Sequence, residues 1–180
     1  MNARWLVLAL LFPALACHSA GPYGHAQIYA PLGPESDAIE HAREYDPVMA
    51  ERAPEQWKGK PVSVFGVVLA RSEGSGGVAD AKLSVRSLEP RNLCENADED
   101  SCRVTVSDKE HAIIHARVQL RAEDDIGEHG VGPRSLVRVV GVITDDVDAA
   151  DGAPVLRATY YRHWPRDFYV TTAARSYMLR

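Results

Sequence analysis

The chain has 180 residues, 46% of them hydrophobic and 25% charged, and carries a formal net charge of −5 at pH 7. That length fits one domain with appendages, and the composition supports a packed core. The acidic balance argues against a dedicated nucleic-acid binder, which needs a basic face, so no nucleic-acid partner is expected.

The amino terminus opens on a short cationic start, Met1 to Arg4. A charge-free run from Trp5 to Phe12 follows, and then the small-residue stretch Pro13-Ala14-Leu15-Ala16 before Cys17. This is the order of an export signal. The run is too short to span lipid, which takes about 20 apolar residues. Arg4 is the one charged side chain in the first sixteen residues, so their removal makes the remainder slightly more acidic.

The stretch Ala14-Leu15-Ala16-Cys17 resembles a bacterial lipobox, although Ala14 stands where that family prefers Leu. The resemblance implies cleavage before Cys17 and acylation of its sulfur, giving a lipid-anchored envelope protein. A cut before His18, which would discard the cysteine, is the alternative. By the same analogy, His18 in place of Asp points to the outer membrane. Stable anchoring takes more than one acyl chain.

Residues 17–34 hold repeated breakers, Gly21-Pro22, Gly24, Pro31 and Gly33-Pro34, and are read as a flexible tether. Residues 35–57 are read as short helices. Ser36 caps the first, through about Tyr45, and Asp46-Pro47 opens the second.

From residue 58 to 172 the apolar period becomes that of strands. Pro61 to Arg71 and Ser135 to Thr144 are apolar on both faces and contain Gly66 and Gly141. Lys82 to Leu88 alternates, with Leu83 and Val85 inward and Ser84 and Arg86 outward. Cys102, Val104 and Val106 share one face, with Arg103, Thr105 and Ser107 on the other. Ile114, Ala116, Val118 and Leu120 define a further strand, Ala122 to Gly127 a helical turn, and Val155 to Trp164 with Phe168 to Thr172 the last strands. Ala173 to Arg180 is a terminal helix or tail.

Five to seven strands, two of them glycine-bent, predict a mainly β fold: a small closed or nearly closed barrel preceded by short helices. The order of elements resembles an OB-fold. Gly132 to Gly141 is similar to the fourth strand of such domains, and Phe65-Gly66-Val67-Val68 to the first. The layout of lipobox, spacer and barrel is distantly similar to the starvation-inducible outer-membrane lipoprotein family, which carries Trp-Gly-Gly where this chain has Phe65-Gly66-Val67.

Cys94 and Cys102 remain once Cys17 is set aside, and they read as a structural disulfide. A redox-active pair would sit two residues apart near a helix start. Closing a loop of about nine residues is worth roughly 2.6 kcal/mol in the chain-entropy account.

Four constellations carry candidate chemistry. His111 and His115 have zinc-like spacing only on a helix; on a strand, four residues span about 13 Å. Glu95, Asp98, Glu99 and Asp100, and again Asp145, Asp146, Asp148 and Asp151, offer oxygens suited to calcium, without EF-hand spacing. Glu73-Gly74-Ser75-Gly76-Gly77 lacks the Asp before serine that a protease loop needs, and reads as a connection. Tyr160, Tyr161, Arg162, Trp164, Arg166 and Tyr169 form the densest aromatic and basic segment, either core or a protein-contact surface. The expectation is a membrane-anchored, non-enzymatic structural or protein-binding module, without cofactor, whose partners are the membrane and another envelope protein. A metal-binding protein or enzyme using His111, His115 or the acidic loops is the alternative.

Overall fold

The computed structural model describes Tyr23, residues 25–96 and residues 98–178. Cys17 and the leader lie outside the described residues.

Helix α1 (Gly33–Ile39) starts earlier than Ser36 because Pro34 occupies its first turn, where a missing N–H is tolerated. The Leu32 N–H donates back to the Glu35 carboxylate at 3.1 Å. The two-residue strand β1 (Arg43–Glu44) follows. Helix α2 (Pro47–Arg52) opens as expected, with the Asp46 carboxylate accepting from the Met49 N–H at 3.0 Å.

The long strand β2 (Pro61–Glu73) turns through a tight 3-10 connection at Ser75–Gly77 into β3 (Val78–Arg86). Then come β4 (Val104–Val106), β5 (Ala112–Gln119), the single-turn helix α3 (Ala122–Asp125), β6 (Leu136–Val147), β7 (Pro154–Trp164), β8 (Tyr169–Thr171) and helix α4 (Arg175–Met178).

Five strands pair in the order β2-β3-β5-β7-β6, and β6 pairs back onto β2, so the sheet closes. Neighbours are antiparallel except β5 and β7, which run parallel, and β1 adds a short parallel strand outside β2. This is an OB-like barrel with its single-turn helix between the third and fourth barrel strands. The mainly β fold expected from the strand pattern is the one observed.

Both strand glycines sit where chain meets chain. A Cβ at Gly66 would lie 2.9 Å from the Leu83 Cβ, and one at Gly141 only 2.2 Å from the Arg157 carbonyl oxygen, beside a bulge in the β6–β7 pairing. The barrel interior is filled by alternating side chains such as Val62, Val64, Leu83, Ile114, Val139 and Leu156, and Trp57 joins this core.

A second core lies on the outside of the barrel, where Phe65, Val104, Val106, Leu136 and Trp164 pack together. The segment between β3 and β5 supplies β4, which pairs in parallel with β8. It also carries the Cys94–Cys102 disulfide. This second layer explains two departures from simple alternation: Ser84 and Thr105, expected outward, are both fully buried. Ser84 donates to the Glu110 carboxylate at 2.5 Å, and Thr105 Oγ1 accepts from the Leu93 N–H at 2.8 Å.

The expected tether is docked over its described part. Tyr29 N–H donates to the Pro90 carbonyl and Asn92 N–H to the Gln27 carbonyl, both at 2.9 Å, and Tyr29 packs edge-on against Phe65.

Candidate functional site

The outward faces of β3 and β5, together with the loop between β6 and β7, form the surface on which OB-folds present ligand-binding groups. Antiparallel register sets Lys82 beside His115 and Asp80 beside Arg117. The β6–β7 loop folds over them with Asp148 and Asp151. His115 Nδ1 lies 2.8 Å from Asp80 Oδ1, and its Nε2 lies 3.3 Å from Asp151 Oδ2. Lys82 Nζ reaches the same Asp151 oxygen at 2.7 Å, and Arg117 bridges Asp80 at 3.7 Å and Asp146 at 3.1 Å.

A neutral imidazole can donate from one nitrogen only, whereas both nitrogens of His115 face carboxylates. Burial opposes its charge, but the hydrogen bonds to Asp80 and Asp151, with the nearby Asp148 charge, outweigh that and hold its pKa above the ordinary value. Asp151 is driven far below the usual carboxylate range, first by the Lys82 hydrogen bond.

Ligand atoms of His115, Asp148 and Asp151 lie within 4.8 Å of one another, and this is the cluster of three possible metal ligands among the described residues. Asp151 is already bonded to the Lys82 ammonium and to His115, so a cation would have to displace both. His111 and His115 do not come together as a pair. His115 lies on β5, and His111, just before that strand, has its Nε2 3.1 Å from Ser87 Oγ. Strand spacing separates them, as four extended residues require.

The aromatic and basic segment divides. Tyr161, Arg162 and Trp164 are buried, so for these three the contact-surface reading gives way to core packing. Tyr160 and Tyr169 are half-buried, and Arg166 is exposed. Tyr161 faces the barrel interior because a bulge between Val140 and Gly141 shifts the β7 register. Its hydroxyl accepts from the Arg121 N–H at 2.8 Å and donates to the Asp124 carboxylate at 2.6 Å. His163 Nδ1 lies 3.2 Å from the other Asp124 oxygen, while its buried Nε2 has no hydrogen-bond partner among the described residues. This network fastens α3 across one end of the barrel.

Nothing in the local sequence marks the most buried charged residue, Glu35. Its carboxylate accepts from Arg138 Nη1 at 2.7 Å, from Arg162 Nη1 at 2.9 Å and from the Tyr29 hydroxyl. Burial raises the pKa of Glu35, and these three bonds lower it by more.

No family model and no curated protein matches the chain. Among solved structures, a small single-stranded DNA-binding protein from Streptomyces coelicolor is similar at 15% identity and a TM-score of 0.32, over 58% of this chain and 93% of that one. A likeness of that size assigns no ligand to this chain.

Proposed function

We propose that this chain is a lipid-anchored protein of the bacterial cell envelope, held through Cys17, whose barrel acts as a non-enzymatic protein-binding module. The observation that carries the reading is the cysteine arrangement. Cys94 and Cys102 are joined within the β3–β5 insertion, which suits an oxidising compartment and leaves the lipobox-like Cys17 as the remaining cysteine. No described helix is long and apolar enough to cross a membrane.

The β3–β5 face supports a protein partner over a nucleic acid. Asp80, Asp146, Asp148 and Asp151 outnumber Lys82 and Arg117, and their charges are tied up with one another. A phosphate backbone needs unpaired cations instead.

Growth of a bacterial host with a clickable palmitate analogue tests the anchor. The expected result is labelling of the full chain in the membrane fraction, abolished by Cys17→Ser. An unlabelled chain with an intact leader would overturn it. Capture of envelope proteins by cross-linking to the lipidated chain tests the binding role. Stoichiometric zinc or calcium in the purified chain would favour the second reading, a metal-binding protein using His115, Asp148 and Asp151.

A further inference from the structure

At the barrel end opposite α3, α2 and its following turn stand apart from the β6–β7 hairpin and leave a groove of about 380 Å³. Its floor is apolar, formed by Tyr45, Trp57, Ile113 and Ile143. Trp57 is held in place by an edge-on contact with Tyr45 and by the Arg43 guanidinium 3.5 Å from its ring centre. Val48 on one lip and Val147 on the other remain 54% and 63% exposed. A helix as short as α2 buries Ala50 against the core and has no second apolar face to cover Val48.

The rim is acidic. Glu51, Asp145 and Asp146 line the groove, and Glu44 and Asp46, with Arg86, line the cleft beside it. Lys58 is shared between Glu55 and Asp145 at 3.7 and 3.6 Å, and Arg117 reaches Asp146, so the surplus around the opening is negative.

We propose that this groove docks a cationic peptide segment of a partner protein. One or two large apolar side chains enter between Val48 and Val147, and flanking Lys or Arg residues meet Glu51, Asp145 and Asp146. The proposal deepens the protein-binding reading above and rests on it. The same acidic rim repels anionic lipid headgroups, which separates this surface from a membrane-docking one.

The test uses the full lipidated chain in nonionic detergent and fluorescence anisotropy. One labelled peptide carries a central Leu-Phe pair flanked by lysines, and its counterpart carries glutamates in their place. The lysine peptide is expected to bind at least tenfold tighter, with affinity falling as salt is raised. Val48→Asp and Glu51→Lys should each weaken it about tenfold, a shift of 1.4 kcal/mol. Ile126→Asp, at an exposed position beside α3, should leave it unchanged. Thermal melts of each variant show that the fold is retained. Equal affinity for the two peptides, no binding of the lysine peptide, or an unaffected Val48→Asp would overturn the groove assignment. Continued cross-linking to an envelope protein under those outcomes would leave the binding module standing and remove only this site.

Discussion

Glu35 and Arg162, 127 residues apart in the chain, form a hydrogen-bonded ion pair at 2.9 Å with the carboxylate fully buried. Arg138 completes the same group from β6. The three side chains join the amino-terminal segment and α1 to two barrel strands. Removing the carboxylate would strand two arginines whose side chains are about a tenth exposed. Glu35→Ala is therefore expected to cost about 3–5 kcal/mol in urea unfolding. A loss below about 1 kcal/mol, the value of an exposed pair, would show that the group is not held as described.

His115 and the buried histidines are expected to respond to pH in opposite senses. The folded pKa of His115 is raised, so its contribution is fully present below the unfolded value of 6.5 and is lost as pH rises through the folded one. His163 and His25 are lowered, chiefly by burial, so the unfolded chain takes up their protons first and stability falls as pH drops below 6.5. Denaturation midpoints of wild type and His115→Gln should converge at alkaline pH and differ most just below 6.5. Equal midpoints across that range would contradict the bonding of His115 to both carboxylates.

The disulfide closes a loop in the insertion, away from the closed sheet. Replacing Cys94 and Cys102 together by Ala is expected to cost roughly 2.6 kcal/mol by the chain-entropy account. Hydrogen exchange should rise around Leu93 and Arg103, whose backbones pair there, and stay unchanged on β2 and β6. Uniform loosening of the barrel would contradict that separation.

Two glycine substitutions should be costly for different reasons. Gly141→Ala would drive a Cβ to within 2.2 Å of the Arg157 carbonyl oxygen and is expected to cost about 1–3 kcal/mol. Gly152→Ala meets nothing within 4 Å, but its φ of +71° is left-handed, so it is expected to cost about 1–2 kcal/mol through backbone strain alone. Thermal melts measure both, and a neutral Gly141→Ala would mean that the β6–β7 bulge is loose.

Much of the barrel was readable because its strands obey a period of two. Leu83 and Val85, and Ile114, Ala116 and Val118, point inward as their alternation requires. Asp46-Pro47 announced α2 through local chemistry alone. The misread positions depend on a second layer that no local pattern encodes. Ser84 and Thr105 look outward on their strands, but both are buried against the β3–β5 segment, Ser84 on Glu110 and Thr105 on Leu93. Glu35 carries no local mark, and Arg162 belongs to a segment that reads as either core or a protein-contact surface. Each is buried because the other arrives from a distant part of the chain. The β3–β5 charge cluster was half legible: its loop acids and His115 stood out, whereas the partnership with Asp80 and Lys82 needed the register.

Closure of the barrel sets an order on its assembly. One edge of β2 is satisfied by its immediate successor, β3, but the other waits for β6, with Pro61 opposite Val142 and Val67 opposite Leu136. Until the chain has been made past Val142, that edge presents unpaired amides and carbonyls along an apolar strand, the template on which chains aggregate. A chain made from its amino terminus carries this open seam until residues 136–142 follow, and shielding of residues 61–67 in that interval favours a good yield of native protein.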